Sequence, residues 1–92
     1  MEIMPKGYVY ILRSARNNKF YVGSTTDLIR RVGQHNRGKA RSTKPLGELK
    51  LEFSQEYSSI NSARAIERRL KKLKRKDYLS KIIQDKFIDL GL

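Results

Sequence analysis

The first continuous apolar stretch of the chain is Gly7-Tyr8-Val9-Tyr10-Ile11-Leu12. Aromatic and β-branched residues favour strands, and so unbroken a run predicts a strand buried on both faces. Ala15-Arg16-Asn17-Asn18-Lys19 is polar, and its asparagines tolerate left-handed backbone, so it reads as a turn. Phe20-Tyr21-Val22-Gly23 follows as a second strand, and the short connection makes an antiparallel hairpin the simplest arrangement. Leu28, Val32 and His35 then recur at helical spacing with Arg31 on the same side, predicting a helix from about Asp27 to Asn36. Thr25 or Thr26 suits its N-cap, Asp27 its first turn and Gly38 its C-cap.

A basic loop from Lys39 to Gly47 leads to Leu49, Leu51 and Phe53, which alternate with Lys50, Glu52 and Ser54. Period two predicts a third strand with one wet face, continuing towards Tyr57. Ser58 or Ser59 can cap a second helix whose apolar stripe is Ile60, Ala63, Ile66, Leu70 and Leu73. Asp77 can cap a third, with Leu79, Ile82, Ile83 and Phe87 facing inward. The fold class expected is α+β, an α/β sandwich. A small three-stranded antiparallel sheet is flanked by helices in the order β-β-α-β-α-α.

Length limits this picture to one domain over residues 1–92, too small to enclose a large cavity, so chemistry belongs on a surface groove. The net charge of +12 speaks of partners rather than fold. Nucleic acid is the first candidate, held by a salt-sensitive attraction; anionic membranes and acidic proteins are the rivals. The segment from Arg68 to Lys76 is all Lys and Arg apart from Leu70 and Leu73, which keep helical spacing, and its plain reading is a solvated helix face. Leu70 and Leu73 on its inner side argue against membrane insertion. There is no cysteine, hence no disulfide and no thiolate metal site. With no secretory signal visible at Met1 to Lys6 and no run long enough to span a bilayer, a cytoplasmic protein is expected.

The same inventory removes several hydrolase chemistries. One histidine cannot make a two-histidine metal site, no Walker-type glycine loop occurs, and no Gly-x-Ser-x-Gly elbow surrounds a serine. Polar residues on apolar elements remain. Arg31 and His35 lie one helical turn apart, where a guanidinium can grip a phosphate through two parallel hydrogen bonds; the alternative is a rim residue with its stem on the core. Glu67 borders the buried stripe of a strongly basic helix. It could hold Mg²⁺ together with water and substrate oxygens, or simply pair with Lys71 one turn on. Tyr8 and Tyr10 share a strand face, and tyrosines there usually pack with a polar tip exposed.

Taken in order, Tyr8-Val9-Tyr10-Ile11-Leu12, Tyr21-Val22-Gly23-Ser24-Thr25, Asp27-Leu28-Ile29-Arg30-Arg31, Gln34-His35-Asn36 and Glu67 form a series. That series, over roughly Gly7 to Ile83, resembles the GIY-YIG nuclease superfamily, above all its short stand-alone bacterial members. It is similar also to the N-terminal nuclease domain of the bacterial excinuclease. Tyr8-Val9-Tyr10 stands for the GIY element with only its tyrosine kept, and Tyr21-Val22-Gly23 stands for YIG.

The resemblance implies a metal-dependent DNA endonuclease, structure-selective or weakly sequence-specific, with a place in DNA repair or recombination. Its alternative is a non-catalytic DNA- or RNA-binding module of the same fold. Glu67 would hold one Mg²⁺ or Mn²⁺, Arg31 would stabilise charge on the phosphate, and Tyr21 would orient water or substrate. Tyr10 and His35 are both candidates for the proton acceptor. Arg30, Lys39, Arg41, Ser42, Lys44 and Lys71 are the candidate nucleic-acid contacts. A protein partner or a dimer is compatible with all of this.

Overall fold

In the computed structural model, residues 5–36, 49–73, 76–86 and 88 are described. The elements are β1 (Gly7–Ser14), β2 (Phe20–Thr25), α1 (Leu28–Asn36), β3 (Leu49–Tyr57), α2 (Ile60–Leu73) and α3 (Lys76–Asp85). This is the expected order and class. The sheet is antiparallel with strand order β2-β1-β3, so β1 is central and β2 is an edge.

The central position of β1 explains its uninterrupted apolar run. Val9, Tyr10, Ile11 and Leu12 are all buried. Val9 and Ile11 point to a back face, where Ala63, Ile66 and Leu70 of α2 meet Leu79, Ile82 and Ile88. Tyr10 and Leu12 point to a front face, where Leu28 and Val32 of α1 pack with Tyr21 and Leu49. The hairpin turn is held by Ser14. Its buried hydroxyl accepts the Arg16 amide at 3.2 Å, and its carbonyl accepts the Asn18 amide at 3.0 Å. Asn18 takes the left-handed conformation, at φ 59°. At the other end of β1, Gly7 lets α2 approach closely. A methyl group there would lie 2.6 Å from the Ile60 Cα and 2.8 Å from the Ala63 Cβ.

The structure departs from the sequence pattern at several places. A β-bulge in β3 shifts the register between the pairs Ile11–Phe53 and Leu12–Leu51. The extra residue reverses the alternation. Leu49 therefore packs on the front face and Phe53 on the back, while Leu51 is exposed, so the three do not form one apolar face.

Leu73 is 40% exposed rather than buried, because it falls in the last turn of α2, beyond the core contact made by Leu70. Asp27 itself caps α1: its carboxylate accepts the Arg30 amide at 3.2 Å and its carbonyl the Arg31 amide at 3.1 Å. Thr25 instead accepts the Asp27 amide and sets the entry turn. Ser59 caps α2, accepting the Ser62 amide at 3.2 Å. Asp77 lies inside the first turn of α3, where its charge suits the helix dipole, and does not precede it. Phe87 lies outside the described residues, and Ile88 fills the core from that end of the chain. Among the described residues no helix is long and apolar enough to cross a membrane.

Candidate active site

Two adjacent residues of the edge strand organise the site. Gly23 pairs with Tyr10 across the hairpin, so both belong to the front face. The absence of a side chain at Gly23 lets the Tyr10 ring lie across β2. A Cβ at position 23 would overlap the Tyr10 hydroxyl and Cζ and come within 3.0 Å of Cε1. Tyr10 is thus a core residue, 3% exposed, whose phenol crosses over the outermost strand. Arg31 on α1 donates its Nε–H to that phenol oxygen at 3.4 Å and an Nη1–H to Gln34 at 3.3 Å. Tyr21, two residues before Gly23 on the same face, is half-buried against the Tyr10 cluster.

Ser24 is the next residue, and period two turns it to the back face opposite Val9. Its hydroxyl donates a hydrogen bond to Glu67 Oε1 of α2. The other carboxylate oxygen of Glu67 takes the Lys71 ammonium at 2.7 Å. The Glu67 side chain is only 18% exposed, so a half-buried carboxylate is held by one hydroxyl and one cation. The plain alternative for Glu67, an ion pair one helical turn long, is therefore formed.

The expected residues fall into three groups. Tyr10, Tyr21 and Arg31 come together on the front face. Glu67 and Lys71 come together on the back face, joined to the first group through the Gly23-Ser24 step. His35 lies in the last turn of α1, one turn beyond Arg31, but its side chain is outside the described residues. So are Lys39, Arg41, Ser42 and Lys44. Arg30 is exposed on α1 beside Arg31.

Ser24 is the residue that sequence reasoning misses. A signal for it exists: in an edge strand, a hydroxyl directly after a glycine must face away from whatever the glycine admits. Its partner 43 positions on is visible only in three dimensions.

Among the described residues no group of three or more histidines, cysteines or carboxylates converges. The donor set at Glu67 is still suited to one hard cation. A single carboxylate with a neighbouring hydroxyl leaves most coordination positions to water and substrate oxygens, as Mg²⁺ prefers. The Lys71 ammonium on Oε2 occupies one of the positions such a cation would take.

A β-β-α-β-α-α domain gathering tyrosines, an arginine and a glutamate along one sheet edge belongs with small nuclease domains. The profile of the GIY-YIG catalytic domain matches residues 6–81, and the chain belongs to the GIY-YIG family. Among its relatives is a UPF0213 protein of Cronobacter sakazakii, 41% identical over 71 residues, which cover 76% of this chain and 74% of that protein. The UPF0213 protein YhbQ of Salmonella typhimurium is likewise 41% identical over 71 residues, covering 76% of this chain and 70% of its own. No solved structure matches the chain significantly. Membership implies a nuclease-type, DNA-binding domain, and GIY-YIG nucleases generally use divalent metal ions.

Proposed function

We propose that the protein is a metal-dependent endonuclease that hydrolyses DNA phosphodiesters with structure selectivity or weak sequence specificity. The observation that carries this is the Gly23-Ser24 step. It brings a Tyr10–Arg31 pair and a Glu67 carboxylate to the two faces of one edge strand.

In this reading Glu67 holds one Mg²⁺ or Mn²⁺, with Ser24 fixing the carboxylate. The ion, when bound, polarises the phosphate and stabilises the leaving oxygen. Arg31 neutralises charge developing on the phosphate. Tyr10 helps to take a proton from the attacking water by passing its own phenol proton on to solvent, with His35 the alternative acceptor, and Tyr21 orients water or substrate. Arg30 and Lys71 hold flanking phosphates, Lys71 leaving Glu67 to do so, and Lys39, Arg41, Ser42 and Lys44 extend that contact. The charge of +12 supports attraction to DNA, and structure selectivity suits an interface of phosphate contacts without a base-reading element. A place in DNA repair or recombination follows from that selectivity.

One observation favours the second reading, a binding module without turnover: Glu67 is already satisfied by Ser24 and Lys71. The deciding assay incubates wild type, Glu67→Ala and Arg31→Ala with duplex, flap, junction, single-stranded and RNA substrates in Mg²⁺ or Mn²⁺. Wild type should nick at least one DNA structure. Glu67→Ala should lose cleavage while keeping most of its binding, and Arg31→Ala should also be heavily impaired. Cleavage by Glu67→Ala at the wild-type rate removes the site assignment; no cleavage by wild type on any substrate establishes the binding module.

A further inference from the structure

Helix α2 carries more positive charge than the candidate site uses. Ala63, Ile66 and Leu70 mark its buried side, and Glu67 and Lys71 border that side where Ser24 of β2 reaches the helix. At 3.6 residues per turn, moving around the helix from Glu67 and Lys71 leads next to Arg64, then Arg68, then Lys72. All three are exposed, and among the described residues none of the three takes part in an ion pair. Arg69 lies on the opposite flank. The charged stripe therefore starts at the candidate site and runs outward from it.

Like charges spaced four residues apart destabilise a helix. Interleaved Glu and Lys would solvate a helix face without that penalty, so a stripe of one sign is better explained by an anionic partner. We propose that Arg64, Arg68 and Lys72 form a second stretch of the nucleic-acid interface, a rail for the phosphates of duplex DNA beyond the strand edge of β2. From residue 64 to residue 72 the helix rises about 12 Å, the axial length of three to four base pairs. Continuity with Glu67 and Lys71 favours DNA over an acidic protein or a membrane. The assignment rests on the nuclease reading only for the location of the scissile phosphate.

The test measures duplex binding by fluorescence anisotropy in EDTA across a salt series. Wild type is compared with Arg64→Ala/Arg68→Ala/Lys72→Ala and with Lys19→Ala/Lys50→Ala/Lys81→Ala. The control set removes the same charge from the hairpin turn, the β3 edge and α3. Alanine keeps helix propensity high, and circular dichroism confirms that both variants are folded. Each lost phosphate contact should reduce the slope of log K against log salt by about 0.9, hence by about 2.7 for the rail variant. The control variant should change it by less than about 1.

Equal slope losses in the two variants overturn the rail in favour of a general field. Loss of binding to anionic vesicles with duplex binding intact overturns it in favour of a membrane. Because the assay needs no turnover, a rail variant that loses slope in a protein that cuts nothing upholds the rail and refutes the nuclease. Cleavage by wild type with equal slope losses does the reverse.

Discussion

Gly23→Ala is the sharpest perturbation of the proposed site, because it adds one methyl group and removes nothing. Position 23 has an ordinary backbone conformation, so strain enters only through the space a Cβ would occupy. That space is filled by the Tyr10 hydroxyl and Cζ, with Cε1 at 3.0 Å. Carbon atoms in contact normally sit about 3.5–4.0 Å apart, so the ring must move outward by about 1 Å or more. Tyr10 is 3% exposed and packed with Leu12 and Leu49, which leaves little room for the shift. Overpacking of this kind costs about 1–3 kcal/mol of stability. In a domain this size, each kcal/mol lowers Tm by about 4–8 °C. A misplacement of about 1 Å in a reacting group costs on the order of 100-fold in rate, or about 2.7 kcal/mol of transition-state stabilisation. The assay is single-turnover nicking of the best substrate well below the variant's Tm, alone and combined with Tyr10→Phe. The double variant should be no slower than the worse single one, since both act through one phenol. Activity within about threefold of wild type refutes the requirement for Tyr10 at this place, and fully multiplicative losses refute the route through Tyr10.

Three further outcomes follow from the same structure. Ser24→Ala removes the hydroxyl that fixes Glu67 and should weaken Mn²⁺ binding, read by electron paramagnetic resonance, by about 10-fold or more while the fold is unchanged. The phenol of Tyr8 titrates above its ordinary value of 10.0, because it donates a hydrogen bond to Glu56 and faces that carboxylate's charge. A raised folded value means the interaction stabilises below pH 10 and is lost as pH rises through the Tyr8 titration. Glu56→Gln should lower one phenolate transition in ultraviolet absorption and leave Tyr57, raised by burial, where it is. Leu70→Ala opens a cavity at a residue 1% exposed and should cost about 2–5 kcal/mol in denaturant unfolding, whereas Leu73→Ala, 40% exposed, should cost far less.

Much of this fold is legible in the chain because local pattern and tertiary role agree. The unbroken run of β1 announces a central strand, and Asn18 supplies the left-handed turn expected of the asparagine pair. The departures share a cause: each concerns a place where a neighbour, not local spacing, decides. Leu49, Leu51 and Phe53 alternate perfectly in sequence, yet a bulge set by pairing with β1 sends Leu49 and Phe53 to opposite faces. Leu73 continues the apolar stripe of α2, but the core has ended by that turn. At the candidate site, the one-turn spacing of Arg31 and of Lys71 from their helix neighbours is visible in the chain. The contacts of Arg31 with Tyr10 and of Glu67 with Ser24, 21 and 43 residues apart, are not.

Under the proposed function the split between the two faces has a logic. Consecutive Cα atoms are about 3.8 Å apart, yet their side chains point to opposite sides of a sheet. Within a sheet, two such groups are separated by the sheet itself and cannot meet on one substrate. At an edge the separation ends, because both sides open onto the same solvent. Glycine at position 23 brings Tyr10 from the central strand out over that edge, and Ser24 draws Glu67 towards it from below. In the proposed function a phosphodiester in a rigid duplex has to be met at the surface, and an edge strand lies there. Edge strands otherwise invite unwanted pairing and are usually blunted or covered. In the proposed site the phenol of Tyr10 and the carboxylate of Glu67 flank the edge strand, with Arg31 and Lys71 beside them, so the strand a sheet must protect would also be where the polyanion is met.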